Sequence, residues 1–196
     1  MKIIEPSAEL YGEINPDEIL RKLEVCGKVS RQSKLGDAEN FVRSIIKRGH
    51  ESVLEHVSLT FKIVCDRAIM AELTRHRLAS FTVESTRYVK YDELTVIQPP
   101  LKSDEAIIAF RCAIREHERN YQMFIANGEP PEIARSVLPQ CTATTLYMTA
   151  NLRELRHILK LRTDKAAHPQ MRQIMNQILA VFKEKLPVIV EDIDNA

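Results

Sequence analysis

Within residues 57 to 73, the spacing of the hydrophobic residues changes once, and this change limits the folds that the chain can adopt. A half-buried strand is predicted by apolar residues that alternate with polar ones: Val57, Leu59, Phe61 and Ile63. From Asp66 onward the apolar residues recur at helical spacing, as Ile69, Met70 and Leu73 do. A strand followed at once by a helix is therefore expected here.

The rest of the chain is predicted to be mostly helical. Helices are expected from Asn15-Pro16 onward, from Asp37 to just before Gly49, from Ser103 to Gly128, from Pro130 through Val137, from Asn151 to Arg162 and from Pro169 to Lys185. Residues 91 to 101 predict an extended connection, and residues 141 to 150 fit a strand or a buried helix, with a strand favoured. The sequence thus predicts a helix-rich α+β fold, with residues 1 to 196 forming a single domain.

Composition excludes several classes of protein. The chain has only five glycines and no GxGxxG motif, which disfavours a Rossmann dinucleotide site. Its net charge of +1 gives no general attraction to nucleic acid or membrane, so neither partner is expected. The four cysteines are widely spaced without a CxxC pair, which disfavours disulfides and zinc ribbons. Because no cleavable signal or membrane-length apolar run is present, a cytoplasmic location is expected.

Residues 75 to 87 concentrate cations and hydroxyl groups directly after a predicted helix. The segment Arg75-His76-Arg77 is followed after seven residues by Ser85, and Arg87 lies two positions further on. Guanidinium groups hold planar anions through paired hydrogen bonds, so the segment is suited to phosphates. For an isolated Arg-x-Arg, a basic helix end facing solvent is the structural alternative. Ser85 and Arg87 favour anion binding, because their turn-like segment also presents backbone N–H groups.

Residues 49 to 56 contain two histidines and two acids, which are residue types found in metal sites. His50 and His56 are six positions apart, a spacing that fits neither face of a helix, and HExxH is absent. No metal is therefore predicted. In the structural alternative, Ser52 caps a turn and Glu55 pairs with a nearby cation, and a ligand-binding turn before the strand remains open.

The helix predicted over residues 151 to 162 places one cation in an apolar setting. Its apolar stripe consists of Leu152, Leu155 and Leu159, and Arg162 is in phase with that stripe. An unpaired buried charge is very costly, so a protein carboxylate or a bound anion is expected to meet Arg162.

Other cations of this region have different expected environments. Arg153 and His157 are four positions apart and share another face of the helix. Arg156 and Lys160 fit a basic face exposed to solvent. Arg135 lies in an otherwise apolar helical turn, where it is either a rim arginine or a ligand.

Taken together, these segments resemble the flavin-dependent thymidylate synthase family. That family carries Arg-His-Arg, seven residues and then Ser, as residues 75 to 85 do. Three flanking motifs recur in order: Gly-His-x-Ser-x-x-Glu-His at 49 to 56, Ala-Arg-x-x-Leu-Pro at 134 to 139, and Asn-x-Arg with Leu-Arg at 151 to 162. The resemblance covers most of the chain from about residue 35 onward.

The resemblance implies a fold, a reaction and an assembly. The fold would be α+β, with an antiparallel sheet packed by long helices. The reaction would be the reductive methylation of dUMP to dTMP, with 5,10-methylenetetrahydrofolate as the carbon donor and NADPH as the source of hydride through bound FAD. No cysteine nucleophile would be used. The assembly would be a homotetramer whose active sites lie at subunit interfaces.

Site residues are implied only at positions that match the family's motifs. FAD would be bound by Ser52, Arg75, His76, Arg77, Val83, Asn151, Arg153 and His157. The nucleotide would be bound by Glu72, Arg75, Val83, Glu84, Ser85, Thr86, Arg87, Arg135 and Arg162. His50 and Glu55 would lie near the flavin and the folate entrance. Arg162 would be catalytic, because its cation would stabilise negative charge that develops on the uracil ring.

Several positions depart from the common family pattern. Thr82 and Val83 stand where many members have Asn and Glu, so Val83 cannot donate or accept a side-chain hydrogen bond. Glu72 stands where many members have Gln, and near a phosphate it would need a cation beside it, for which Arg75 is expected. His168 falls in a segment where the family often has a histidine or glutamine beside the pocket.

Two other classes of function compete with this interpretation. The arginine clusters also fit a nucleotide- or RNA-binding protein without redox chemistry, although aromatic residues make up only 6% of the chain and offer no stacking platform. A metal phosphohydrolase would use His50, Glu55 and His56, but their spacing argues against it.

Overall fold

The computed structural model describes residues 1 to 193. Its larger sheet has four antiparallel strands in the order β2-β3-β6-β4, and a separate parallel pair joins β1 to β5. The strands are β1 Lys2–Ile4, β2 Ser7–Leu10, β3 Ser58–Asp66, β4 Ser80–Val83, β5 Thr95–Ile97 and β6 Ala143–Asn151.

Most of the helices begin at a polar side chain that caps the first turn. The α-helices are α1 Pro16–Lys28, α2 Ala38–Lys47, α3 Arg67–Leu73, α4 Asp104–Ala126, α5 Pro131–Ala134, α6 Leu152–Arg162 and α7 Pro169–Lys185, and a short 3-10 helix spans Glu51–His56. The capping side chains, each of which accepts a backbone N–H bond, are those of Asn15, Asp37, Asp66, Ser103, Asn151 and His168. Within residues 1 to 193, no helix is long and apolar enough to cross a membrane.

The main core lies on one face of the four-stranded sheet. Phe61 on β3 and Met148 on β6 are directly opposite each other in the register, and both are fully buried. Buried residues of α6 and α7 pack on this face, and α1, α2, α3, the 3-10 helix and residues 186 to 193 add further members to the cluster. A smaller cluster around Val96 and Ile114 fills the space between β5 and α4. Apolar burial on one sheet face explains the strict alternation of β3.

Two buried side chains join the strand-to-helix junction to α7. Asp66 ends β3, and its Oδ1 accepts the backbone N–H of Ile69 at 2.8 Å. The other carboxylate oxygen of Asp66 accepts a 2.7 Å hydrogen bond from the side-chain amide of Gln170. The same amide's oxygen accepts the backbone N–H of Asp66 at 3.0 Å. This closed pair fixes the start of α3 and thereby the direction of the turn that follows it.

The predicted α+β class and antiparallel sheet are confirmed, and residues 141 to 150 form a strand rather than a buried helix. The predicted strand at 57 to 63 extends to Asp66 and is followed at once by α3. The prediction did not include β1, β2 and β4, and residues 91 to 101, predicted as a plain connection, contain β5. These four strands are only three or four residues long, too short for an alternating pattern to stand out.

Candidate active site

The Arg-His-Arg segment forms a turn after α3 in which its three side chains separate. The backbone N–H groups of Arg75 and His76 donate to the carbonyls of Glu72 and Leu73 at 3.3 and 3.0 Å. Successive side chains of such a turn point in different directions. His76 is therefore only 8% exposed, whereas Arg75 and Arg77 are exposed.

His76 and Glu72 hold the guanidinium of Arg162. Nε of Arg162 donates to Nε2 of His76 at 3.1 Å, and its Nη1 donates to Glu72 at 3.3 Å. The carboxylate expected beside Arg162 is thus Glu72. The expectation that Arg75 is the cation beside Glu72 is wrong, because the end of α6 brings Arg162 to that carboxylate instead. The Arg162 side chain remains 24% exposed, so a ligand can still reach it.

The other ring nitrogen of His76 faces the start of α6. Its Nδ1 lies 3.5 Å from a carboxylate oxygen of Glu154, and the ring of His157 is 6.1 Å away between centroids. Burial, together with nearby Arg162 and His157, lowers the pKa of His76 to about 4. Burial raises the pKa of Glu154, against the opposing effect of His157.

The sequence prediction did not include Glu154, although the residue is only 6% exposed. It is three positions after the N-cap Asn151, so the pattern Asn-x-x-Glu is typical of a capping box and suggests no further role. Only its burial beside His76 marks it as part of the site.

A pocket of about 610 Å³ opens beside this group of residues. It is lined by Glu51, Glu55, Leu78, Asn151, Arg153, Glu154, Arg156, His157 and Lys160. The prediction that Arg153 and His157 share a face is confirmed, since both line this pocket. Glu55 does pair with a nearby cation, because Nη1 of Arg153 donates to it at 2.6 Å. The fold therefore brings four of the predicted residues, Glu55, Asn151, Arg153 and His157, to one cavity.

Ser52 and His50 lie elsewhere within the single chain. Both line a separate cavity of about 400 Å³, together with Lys28, Arg31 and Arg48. Ser52 does not cap the 3-10 helix, which begins at Glu51 and has His50 at its N-cap position without a side-chain hydrogen bond. Among residues 1 to 193, no three His, Cys, Asp or Glu side chains are grouped so that they could hold a metal ion.

The predicted nucleotide residues Ser85 to Arg87 form a turn beside Arg135. The carbonyl of Ser85 accepts backbone N–H bonds from Tyr88 and Val89, and its hydroxyl accepts the N–H of Arg87 at 3.3 Å. Nη1 of Arg135 donates to the hydroxyl of Thr86 at 3.5 Å. The turn and Arg135 are thus brought together, with both arginines exposed at the surface.

Val83 and Glu84 are directed toward the protein. The half-buried Val83 packs against the main core. A carboxylate oxygen of Glu84 accepts a 2.7 Å hydrogen bond from the hydroxyl of Tyr91. Burial raises the pKa of Tyr91, and Glu84 raises it further, so this hydroxyl stays a donor. The roles implied for Val83 and Glu84 at the ligand remain predictions.

The expectation that Arg156 faces solvent is wrong. Its side chain is only 2% exposed, and it pairs with Glu51 at 3.0 Å and with Asp192 at 2.7 Å. Arg156 is four positions after Leu152 and three before Leu159, so it too is in phase with the apolar stripe. Phase alone could not decide which arginine the fold buries. Lys160 is exposed as expected, and it donates to Asp192 at 2.8 Å.

Comparison with known sequences gives a consistent result. Residues 13 to 188 match the family model described as thymidylate synthase complementing protein. A flavin-dependent thymidylate synthase from Thermococcus kodakarensis is 36% identical over 163 residues, which are 78% of this chain and 66% of that protein. One from Geobacter sulfurreducens is 33% identical over 187 residues, covering 93% of this chain and 76% of that protein. A probable flavin-dependent thymidylate synthase of Mycobacterium phage L5 is 31% identical, covering 93% and 83%.

Solved structures show the same fold. The UMP/dUMP methylase PolB from Streptomyces cacaoi, bound with 5-Br dUMP, superposes with a TM-score of 0.84 at 24% identity. The superposition covers 97% of this chain and 96% of that one. The match of one family model to most of the chain, and of relatives above 30% identity over most of their length, shows the family. The chain belongs to the flavin-dependent thymidylate synthases.

Proposed function

We propose that the chain converts dUMP to dTMP by reductive methylation, with 5,10-methylenetetrahydrofolate as the carbon donor and NADPH as the reductant of bound FAD. The observation that carries the proposal is the setting of Arg162, a guanidinium oriented by two side chains yet still 24% exposed. Such a cation is already oriented to bind a negatively charged group of a ligand. The sequence relatives, which are named flavin-dependent thymidylate synthases, support the same conclusion.

Arg162 would stabilise the charge that builds up on the uracil ring. A donor that is already oriented does not have to reorganise during the reaction, which is the main source of electrostatic catalysis. His76 accepts a hydrogen bond from Nε of Arg162, so the two Nη groups of Arg162 remain available to donate to Glu72 and to the nucleotide. The family's common Gln at position 72 is Glu in this chain, so part of the charge of Arg162 is already balanced before a ligand binds.

The residues around the larger pocket fit FAD by their chemistry. A dinucleotide needs cations for its pyrophosphate and an apolar surface for its ring. Arg153 lines the pocket and offers one cation, and Leu78, which is 76% exposed, offers an apolar surface in the same lining. The exposed Arg75 and Arg77 precede Leu78 in the chain and would offer further cations. Asn151 and His157 add polar groups to the same lining. When bound, FAD supplies the hydride transfer that none of these side chains can perform.

The turn at Ser85 to Arg87 would hold the phosphate of dUMP. It offers a hydroxyl, backbone N–H groups and the guanidinium of Arg87, with Arg135 alongside through Thr86. Arginine pairs such as this bind phosphate oxygens in two-point contacts. Arg87 is 3.4 Å from Glu132 and both side chains are exposed, so the ion pair is weak and Arg87 can leave it for a phosphate.

We propose a homotetramer with shared active sites, and exposed apolar side chains near these residues support an association between copies of the chain. Four large apolar side chains next to predicted site residues are exposed: Leu78 at 76%, Tyr88 at 78%, Ile133 at 49% and Leu161 at 51%. Exposed apolar groups concentrated near a site are typical of protein interfaces. Ser52 and His50, which line another cavity in the single chain, would then serve the active site of a neighbouring copy.

The proposed mechanism uses no cysteine nucleophile. Burial raises the pKa of Cys65 to about 12 and that of Cys141 to about 11, which leaves almost no thiolate on these two residues at neutral pH. The mechanism would depend on positioning and charge rather than on a covalent bond to the protein.

The absorption spectrum of the purified protein, with and without added FAD, is the first test. We expect a flavin spectrum, NADPH oxidation that responds to dUMP, and dTMP formation when methylenetetrahydrofolate is present. UMP belongs in the same assay, because the structural relative from Streptomyces cacaoi is described as a UMP/dUMP methylase. A colourless protein that takes up no FAD, or methylation of UMP alone, would contradict the proposal.

The same experiments distinguish the proposed enzyme from a nucleotide- or RNA-binding protein. A phosphate-binding protein without redox chemistry would show salt-sensitive RNA or nucleotide binding and no flavin uptake. The cytoplasmic location and the expected lack of nucleic-acid and membrane partners stay predictions from composition.

A further inference from the structure

We propose that Glu154 is a positioning residue that acts through His76 to hold the guanidinium of Arg162 in its working orientation. Glu154, in the first turn of α6, contacts His76 in the turn after α3. His76 in turn contacts Arg162, the last residue of α6. The inference rests on the proposed role of Arg162 in the reaction, and it adds two residues whose side chains determine where that cation lies.

The first step concerns which nitrogen of His76 carries the proton. Arginine has only donors, so Nε2 of His76 must accept the 3.1 Å bond from Nε of Arg162. A nitrogen that accepts has a free lone pair and no proton. The proton of the neutral ring therefore lies on Nδ1, the nitrogen that faces Glu154.

The second step concerns the charge of His76. The ring is 8% exposed and lies beside a permanent cation, so protonation of both nitrogens is disfavoured. Its lowered pKa agrees with this. A doubly protonated ring would also direct an N–H at the N–H of Arg162 and break that bond. The neutral ring is thus the form that can hold Arg162.

The third step explains why Glu154 matters. Either ring nitrogen of a neutral imidazole can carry the proton, and the hydrogen-bond partner of one nitrogen determines the state of the other. Glu154 is 6% exposed, and its Oε1 lies 3.5 Å from Nδ1. A carboxyl oxygen can accept from Nδ1–H whether the group is ionised or neutral. Glu154 therefore keeps the proton on Nδ1 and leaves Nε2 free to accept.

Without Glu154, the proton could move to Nε2 and face the donors of Arg162. Arg162 would then be held only by Glu72, and this 3.3 Å ion pair is weak because the Glu72 side chain is 42% exposed. A misplacement of about 1 Å at a reacting group can reduce turnover by roughly 100-fold.

A matched pair of substitutions tests the acceptor. Glu154→Gln keeps a carbonyl oxygen near Nδ1, whereas Glu154→Leu removes it at similar volume. On the flavin-loaded full-length chain we expect Glu154→Gln to stay within about threefold of wild-type turnover, and Glu154→Leu to lose about 10- to 100-fold in kcat. The kcat is expressed per bound flavin, because Glu154 also lines the pocket proposed for FAD. Equal turnover in both variants would overturn the proposal. If Glu154→Leu does not fold, Glu154→Ala takes its place.

A double substitution distinguishes positioning from a general structural role. In His76→Gln, the side-chain oxygen of glutamine can accept the hydrogen bond from Arg162. Glutamine has no second tautomer, so this acceptor does not depend on Glu154. If Glu154 acts through His76, adding Glu154→Leu to His76→Gln should change kcat by less than about twofold. Fully additive losses would show that Glu154 acts independently of His76, and the proposal would fail.

The protonated nitrogen can also be observed directly, without any turnover. In 15N spectra of histidine-labelled, flavin-loaded protein, with His76→Gln used for assignment, we expect wild-type His76 to be neutral and protonated at Nδ1. Glu154→Gln should preserve this state, and Glu154→Leu should shift the proton to Nε2. A wild-type ring protonated at Nε2 would overturn the proposal by itself. If instead the tautomer is as expected but no dTMP is formed from dUMP, the proposed function fails, whereas the control of the His76 tautomer by Glu154 stands.

Discussion

Nε of Arg162 donates a 3.1 Å hydrogen bond to Nε2 of His76, which joins the last residue of α6 to the turn after α3. The two residues are 86 positions apart in the chain. Because the bond uses only Nε, it orients the guanidinium without occupying both of its terminal nitrogens. A half-buried cation with a defined direction is what the proposed chemistry needs, and four predictions follow from this setting and its surroundings.

Arg162→Ala should abolish nucleotide affinity and turnover while the protein keeps its flavin. Loss of one oriented electrostatic donor typically costs about 100- to 1,000-fold in kcat. Turnover, dUMP binding by flavin absorbance and flavin content should be measured together. Arg115→Ala, an exposed arginine on α4, is the control that should behave like wild type. Wild-type activity in Arg162→Ala would show that the residue has been given the wrong role.

Arg77→Ala should weaken the retention of FAD. The side chain is exposed after α3 and belongs to the cations proposed for the pyrophosphate. Loss of one such charge-assisted contact is expected to cost about 1.5 to 3 kcal/mol of binding free energy. Flavin absorbance relative to protein absorbance after gel filtration measures the effect, with Lys102→Ala as the surface control. An unchanged ratio would contradict the assignment.

Arg156→Ala should destabilise the fold far more than Arg153→Ala does. Both arginines lie on α6, but Arg156 is 2% exposed and pairs with Glu51 and Asp192, whereas Arg153 is 51% exposed and pairs with Glu55. We expect a loss of about 2 to 3 kcal/mol in the free energy of unfolding for Arg156, because its partly exposed acids can be rehydrated. The loss for Arg153 should be below about 1 kcal/mol. Urea unfolding of the two variants checks this, and equal losses would refute it.

The stability of the protein should fall in mild acid because of His76. The pKa of His76 is about 4 in the folded state, against the ordinary value of 6.5 for histidine, so the unfolded chain binds more protons between these values. The contribution of neutral His76 to the free energy of unfolding is complete above pH 6.5 and is lost as the pH falls toward 4. The shift corresponds to a few kcal/mol at about 1.4 kcal/mol per pKa unit.

His76→Gln removes this titration and serves as the comparison. The free energy of unfolding should decline more steeply for wild type than for the variant between pH 6.5 and 4. Glu154, whose pKa is raised, gives a term of the opposite sign in both proteins, so the difference between them isolates His76. Parallel curves would mean that His76 is not held neutral.

Local chemistry explains why much of the fold could be predicted. The change from alternating to helical period at Asp66 occurs where β3 meets α3, and the caps at Asn15, Asp37 and Ser103 start their helices as expected. These signals lie within a few residues of one another, so they are visible without tertiary contacts. The short strands β1 and β5 pair with each other across more than 90 residues, and Val96 of β5 also bridges to Thr142, so no local sequence pattern predicts them.

The candidate site was predicted less evenly. Arg162 was expected to meet a protein carboxylate or a bound anion; the carboxylate is that of Glu72 on α3, and only the folded chain identifies it. Arg156 and Arg162 are both in phase with the same apolar stripe, but the more deeply buried of the two is Arg156, which pairs with Glu51 and Asp192. Glu154 was not predicted, because its place in a capping pattern accounts for it at the level of sequence.

The sequence by itself determined the residue types, their order and their helical or strand phase, and through the four ordered motifs it determined the family. Only the tertiary structure decided which charges meet: Glu154 with His76, His76 with Arg162, and Arg156 with Glu51 and Asp192. The physical reason is that hydrophobic periodicity shows only which face of one segment is buried. The cost of burying a charge depends instead on the particular partner that the fold brings within about 4 Å.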